Sequence, residues 1–177
     1  GVDLDMTYCT EFENTYQIQT YNKLETALAH HNPDLVVVST PTDSHLKVIE
    51  TVVKLTKPKA ILCEKPLAYS VGEAERIVLL CKQNNIKLFV NFIRRADPAV
   101  LKIKHYFETD VIVKPVKGFA WYTKGFLHNG SHLFDLLSLW LGNMVSSQVI
   151  TIKKINSGLD FVGDVNVEFS RGSTEIS

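Results

Sequence analysis

The sequence predicts an α/β fold: a doubly wound parallel sheet, followed by an α+β region with an open, largely antiparallel sheet. Three observations predict it. In the first half, short β-branched runs alternate with helical patterns, which is the mark of a parallel sheet covered by helices. The run "DLVVVST" is continuously apolar, as a strand buried on both faces would be. From about residue 95 the order changes to helix, strand, helix and then alternating strands, which describes a different kind of layer.

Taken in order, "GVDLD" reads as the end of a strand and "MTYCTEFENTY" as the helix leaving it. "QIQTY" is a short strand. "NKLETALAHHN" is a helix, with Asn22 as its N-cap and Pro33 just past its end. After "DLVVVST" come a helix in "PTDSHLKVIETVVKL", a strand in "KAILCE", a helix in "SVGEAERIVLLCKQNN" and a strand in "KLFVNF". Beyond a boundary placed near Arg94, "DPAVLKIKHYFE" is an amphipathic helix with Pro98 in its first turn. "VKGFAWYT" is a strand, and "HNGSHLFDLLSLWLG" a helix closed by Gly142. "SQVITIKKI" and "DFVGDVNVEFS" are strands. The expected domains are therefore 1–94 and 95–177, without repeats or low-complexity tracts between them.

A doubly wound nucleotide-binding sheet opens with a strand and a glycine-rich phosphate turn, whereas this sequence begins where the second strand would be. The first domain is accordingly expected to be partial, lacking that first strand and turn. The second, which ends on a strand, is expected to be partial as well.

Charge narrows the function. Lys plus Arg and Asp plus Glu each number 19, so no basic excess suggests a nucleic-acid surface. No apolar run nears the roughly 20 residues that cross a bilayer, and no signal-peptide pattern opens the chain, so a cytoplasmic protein with small-molecule ligands is expected. Cys9, Cys63 and Cys81 form no paired metal spacing and are expected to be reduced, the last two in a core. No Ser/His/Asp hydrolase signature or Walker lysine loop is present.

Three segments carry chemistry. Ligands of open α/β sheets bind outside the carboxyl ends of the strands, where "STPTDSH" (39–45) and "CEKP" (63–66) both fall. Asp43 or Ser44 could cap the next helix and leave amide donors facing a ligand, although an ordinary strand-to-helix turn has the same composition. Lys65 can donate to a substrate oxygen, and Pro66, through a bend or a cis peptide, could aim it into a cleft. A solvated Glu64–Lys65 pair is the competing reading. In "HNGSHLFD", His128, His132 and Asp135 fall at i, i+4 and i+7 and would share one helical face. The pattern is not HExxH and yields no third ligand, so no metal is expected.

Together "PDLVVVSTPTDSH", "ILCEKPLA", "NFIRRADPAV" and "HNGSHLFDLLSLWLG", in that order and spacing, resemble the Gfo/Idh/MocA oxidoreductases over nearly the whole chain. The resemblance implies a Rossmann-like nicotinamide-binding domain and a substrate domain with an open sheet used in oligomer contacts. It implies an NAD(P)-dependent dehydrogenase or reductase acting on a secondary alcohol or ketone of a sugar, cyclitol or sugar nucleotide. By the same likeness Lys65 is the catalytic lysine, Glu64 positions it, Thr40, Pro41 and His45 line the cofactor cleft, and Asp3 holds the adenosine ribose. An acid there favours NAD over NADP, because it repels a phosphate; Asp5 is the rival for the role.

In the helix motif the family usually has an aspartate, a glycine two residues later and a histidine two beyond. Gly130 and His132 keep the pattern, and His128 replaces the aspartate. His132 is then the proton acceptor, an imidazole being suited to proton transfer near neutrality. His128 is left to orient substrate or share the proton, without the fixed negative charge of an aspartate. Asn129, Arg94 and Lys124 are expected to touch substrate, with Arg95 beside them, while Asp135 anchors the helix. Tyr122 could stack on a sugar ring, and Trp121 and Trp140 are expected to pack the second domain. The rival class is an inactive nucleotide-binding sensor or subunit of the same fold, a reading that the missing glycine turn and His128 both favour.

Overall fold

Three parallel strands, β1 (Leu35–Val38), β2 (Ala60–Glu64) and β3 (Lys87–Asn91), form one sheet in that order. The computed structural model describes residues 1–154 and 160–176, and of Glu175 the backbone alone. Parallel neighbours cannot be joined by a tight turn, so helices make the crossings: α3 (His45–Leu55) from β1 to β2, and α4 (Val71–Gln83) from β2 to β3. Each presents an apolar stripe at helical spacing. Ile49, Val52 and Val53 of α3 and Ile77 and Cys81 of α4 pack on Val38, Ile61 and Cys63 of the sheet. A fully buried aliphatic side chain contributes roughly 1.5–3 kcal/mol, and Ile49, Val52, Ile61 and Ile77 are all fully buried.

Capping sets the ends of these helices. Ser70 accepts the Glu73 N–H and donates to its carboxylate, a reciprocal cap that starts α4. Helix α1 (Met6–Tyr16) starts on Asp5, whose side chain accepts the Thr7 N–H. Helix α2 (Leu24–His30) does not start as expected. Its N-cap is Lys23, with no side-chain cap, because Asn22 lies one residue too early.

Two further expectations are corrected. "GVDLD" and "QIQTY" are not strands but a single parallel bridge, Val2 to Tyr21, flanked by the bonds Asp3 N–H to Tyr21 O and Tyr21 N–H to Gly1 O. Val2 and Ile18 stay largely exposed, so little apolar burial drives a longer pairing. Strand β1 is not buried on both faces: Leu35 and Val37 are more than half exposed, since its core partners all come from the face of α3 and α4.

The chain divides into two compact units, Gly1–Asn91 and Phe92–Ser177. In the second, a short 3-10 turn (Ile93–Ala96) leads to α5 (Pro98–Glu108), which starts on Asp97: its carboxylate accepts the Ala99 and Val100 N–H groups, and Pro98 takes the first helical position. Strand β4 (Val116–Ala120), a π-helical turn (Phe126–Gly130) and α6 (Ser131–Leu141) follow. The chain then runs through β5 (Met144–Lys154), β6 (Phe161–Phe169) and β7 (Gly172–Ile176).

The second sheet has the order β4-β7-β6-β5, antiparallel except where β4 meets β7. Alternate residues of β6, Val165, Val167 and Phe169, enter a core with Leu137 and Leu141 of α6 and Phe107 of α5. Trp140 joins that packing and donates its indole N–H to Val100 O at 3.1 Å, but Trp121, expected inside, is exposed. Gly142 ends α6 at φ +87°, where a Cβ would meet the Ser170 hydroxyl at 2.2 Å. Ile155, the expected last residue of the strand "SQVITIKKI", lies outside the described residues. Among the described residues no helix is long and apolar enough to cross a membrane.

The one-sided burial of the first sheet gives a stability test. Ile61→Ala is expected to lower the unfolding free energy by about 3 kcal/mol in urea titration, whereas Val37→Ala on the other face costs less than ~1 kcal/mol. Equal losses would show both faces to be core.

Candidate active site

Register brings the first group of candidates together. Glu64 pairs with Asn91, and Val38 pairs with Cys63, which pairs with Val90. The three strands therefore end at one level, and the residues after them, Thr40 and Pro41 on one side and Lys65 and Pro66 in the middle, follow from the same edge. Asn91 was not foreseen as part of this edge. Its side-chain N–H donates to the Glu64 carboxylate at 2.6 Å, so a neutral amide fixes the acid that precedes the lysine. The signal in the sequence would have been a polar residue closing the apolar run "KLFVN".

His45, expected to line the cofactor cleft, is fully buried. Its Nε2 lies 2.9 Å from Thr40 O and its Nδ1 3.1 Å from Leu67 O, so the ring spans the turns that follow β1 and β2. A neutral imidazole has one N–H, so either tautomer donates to one of these carbonyls and only the imidazolium donates to both. The Lys65–Pro66 peptide is cis.

No side-chain cap forms at Asp43 or Ser44. A 3-10 turn over Thr42–Ser44 runs directly into α3, the Ser44 hydroxyl folds back onto Pro41 O at 2.7 Å, and the Ser44 and His45 N–H groups serve Pro41 O and Thr42 O. The Ser44 and His45 amides are therefore consumed within the turn.

Asp3 and Asp5 also separate. Asp5 is spent on capping α1, while Asp3 accepts the Asp5 N–H on one oxygen and stays exposed. Behind the edge, burial pushes the Cys63 thiol up to about 12, with Glu64 and Cys81 adding to the effect, so it stays a neutral core group.

The second unit holds the other candidates. His128, His132 and Asp135 do not share a helical face as expected. The turn Phe126–Gly130 is wound wider than an α-helix, with the Gly130 N–H bonded to Gly125 O at 3.1 Å, and α6 starts only at Ser131. The wider turn rotates His128 away, leaving it exposed while His132 is buried with its ring edge-on to Phe92 at 5.9 Å. Lys124 (φ 63°) and Gly125 (φ 91°), both left-handed, bend the chain into this turn. Gly130 is packed under Tyr122 and Phe126, where a Cβ would come within 3.3 Å of the Tyr122 ring.

Other candidates are already committed. Arg95 grips Asp135 with two guanidinium nitrogens, Nε at 2.8 and 3.0 Å and a terminal nitrogen at 2.7 Å, so it holds its turn to α6. Arg94 beside it is exposed. Tyr122 does not present itself for stacking. Its hydroxyl accepts the Gly163 N–H at 3.0 Å and donates to Gly163 O at 3.1 Å, locking the ring against β6. Among the described residues no three His, Cys, Asp or Glu side chains gather as a metal ion would require.

Residues bearing an ammonium, an amide-steered carboxylate, a hydroxyl and a proline ring thus follow one another at this edge. An open parallel α/β sheet takes its ligands outside this carboxyl edge.

Comparison with known proteins agrees. The family model described as "Oxidoreductase family, NAD-binding Rossmann fold" matches residues 2–92, and the chain belongs to this Gfo/Idh/MocA family. It is 33% identical over 97 residues to D-xylose 1-dehydrogenase [NADP(+)] of Haloarcula marismortui, covering 55% of this chain and 26% of that protein. It is 32% identical over 84 residues to myo-inositol 2-dehydrogenase of Thermotoga maritima, covering 48% and 25%. In fold it matches the WlbA dehydrogenase from Bordetella pertussis, a crystal structure in complex with NADH and UDP-GlcNAcA. The TM-score is 0.84 at 19% identity, over 99% of this chain and 60% of that one. The matches thus span about a quarter of the curated relatives' length.

The His45 bridge is testable. His45→Ala is expected to lower the unfolding free energy by about 3 kcal/mol, because a buried ring is lost and the carbonyls it serves are left without it. A loss under ~1 kcal/mol in chemical denaturation would mean that the bridge contributes little.

Proposed function

We propose that the chain is the working part of an NAD(P)-dependent oxidoreductase that interconverts a secondary alcohol and a ketone on a sugar, cyclitol or sugar nucleotide. The observation that carries this reading is the carboxyl edge of β2, where Glu64 is fixed by Asn91 next to Lys65, and where His45 ties the two flanking turns. Membership of an NAD-binding family, and relatives named as xylose and inositol dehydrogenases, support the substrate class.

Thr40, Pro41 and Lys65 would border the nicotinamide and its ribose, with Glu64 aligning the lysine and His45 holding the turns from below. Asp3 would accept from the adenosine ribose hydroxyls, and as an acid it favours NAD. A bound nicotinamide supplies the hydride-accepting ring. Oxidation of the alcohol also releases a proton from its hydroxyl. Lys65 hydrogen-bonds that oxygen and His132 is the base that takes the proton, both in line with the family resemblance. His128 and Asn129 offer polar contacts to neighbouring hydroxyls, with Arg94 and Lys124 as further substrate contacts.

The protein is further proposed to be cytoplasmic and to form a homo-oligomer. Strand β5 is an edge strand exposed along its whole length, with Val145, Val149, Ile150 and Ile152 all open, which supports pairing with another copy.

Calorimetric titration with NAD and NADP, followed by absorbance of reduced nicotinamide across a panel of sugars and cyclitols, tests the reading. Lys65→Ala is expected to keep cofactor binding and to lose roughly 10²–10⁴-fold in turnover. Undiminished turnover in that variant would remove Lys65 from the chemistry, and saturable binding without turnover by the unsubstituted protein would favour a nucleotide-binding sensor.

A further inference from the structure

Position 128 carries an imidazole, and the turn around it is held by an acid from elsewhere in the chain. The Asp160 carboxylate, just ahead of β6, accepts three backbone N–H groups. One oxygen takes Leu127 N at 2.8 Å and Phe161 N at 2.8 Å, and the other takes His128 N at 3.1 Å. Leu127 and His128 stand in the first turn of the helical run that continues into α6, where amide donors have no helical carbonyl to serve. A carboxylate is suited to this place because it only accepts, with two oxygens, and because negative charge is favoured at the start of a helix.

We propose that Asp160 is a positioning residue for the His128–Asn129 turn. The proposal rests on the oxidoreductase reading for its consequence in catalysis, but the geometry stands without it. Three residues further along, the Tyr122 hydroxyl grips both backbone groups of Gly163, so the entry to β6 is tied twice to the segment around the turn. Tyr122 also packs on Gly130 at the other end of the turn. Asp160 thus fixes where the backbone of His128 and Asn129 lies, and α6 then carries His132 from the same start. An asparagine could not do the same, since its one oxygen would serve only part of the set and its NH₂ would face an N–H.

The test uses the full chain and two readouts. In the unsubstituted protein, the amide protons of Leu127, His128 and Phe161 are expected to move together in an acid titration followed by ¹H–¹⁵N spectra, with one shared midpoint, as Asp160 is protonated. Asp160→Asn is expected to abolish the shared movement. Amides that titrate independently, or not at all, in the unsubstituted protein would overturn the assignment, and that measurement needs no variant to fold. In turnover, Asp160→Asn is expected to lower kcat at least ~10-fold while leaving the Kd for NAD within about twofold, since a displaced turn costs alignment more than cofactor binding. An unchanged kcat in a folded variant would also overturn the positioning role. Absence of turnover by the unsubstituted protein counts against the oxidoreductase reading alone, and the amide titration still decides on Asp160.

Discussion

Parallel pairing of β1, β2 and β3 sets the level at which three chain segments leave the first sheet, and the chemistry proposed for this protein depends on that level. Val38, Cys63 and Val90 lie side by side, and Glu64 meets Asn91 one residue further on. A slip of one residue in β2 would turn Ile61 and Cys63 out of the core and break the Glu64–Asn91 bond. Burial of Ile61 and Cys63 against α3 and α4 therefore protects a polar arrangement that contributes little to stability itself. The hydrophobic core holds the register, and the register holds the edge.

Short polar ties then convert the level into fixed positions. His45 braces the turns after β1 and β2 from beneath, and Asn91 steers Glu64. The second unit uses the same device with other groups. Arg95 clasps Asp135, the Tyr122 hydroxyl closes on Gly163, and Asp160 collects three amides. At the first edge and at the turn before α6, the exposed groups sit on backbone that other side chains hold. Thr40 and His128 are exposed, whereas His45 is fully enclosed. This is the arrangement expected where a rigid scaffold presents groups to a ligand.

Much of the architecture was legible because it is periodic. Helix α1 runs over the residues expected, and β2, β3, α4 and α5 follow from apolar spacing together with the signals of Ser70 and Pro98. Where the reading failed, the deciding contact was nonlocal or the local winding was unusual. Nothing in "DLVVVST" shows that only one of its faces meets a helix. Nothing in "FLHNG" shows a π-helical turn, which moves His128 off the face of His132. Of the candidate site, the segments 40–45 and 63–66 were legible from their place at strand ends. The supporting partners, Asn91 for Glu64 and Asp160 for the turn at His128, were not, because each reaches residues 27 or more positions away. Arg95 and Tyr122 looked like ligand contacts for the same reason: their partners, Asp135 and Gly163, are distant in sequence.

The central claim is that a nicotinamide cofactor seats on the carboxyl edge of β1, β2 and β3. Titration of the full chain with NADH, followed residue by residue in ¹H–¹⁵N spectra, tests it most directly. Saturable shifts clustered at Thr40–His45, Glu64–Leu67 and Asn91, with the opposite strand ends at Leu35, Ala60 and Lys87 unmoved, are the predicted result. Saturable binding that leaves the first cluster unmoved would contradict it.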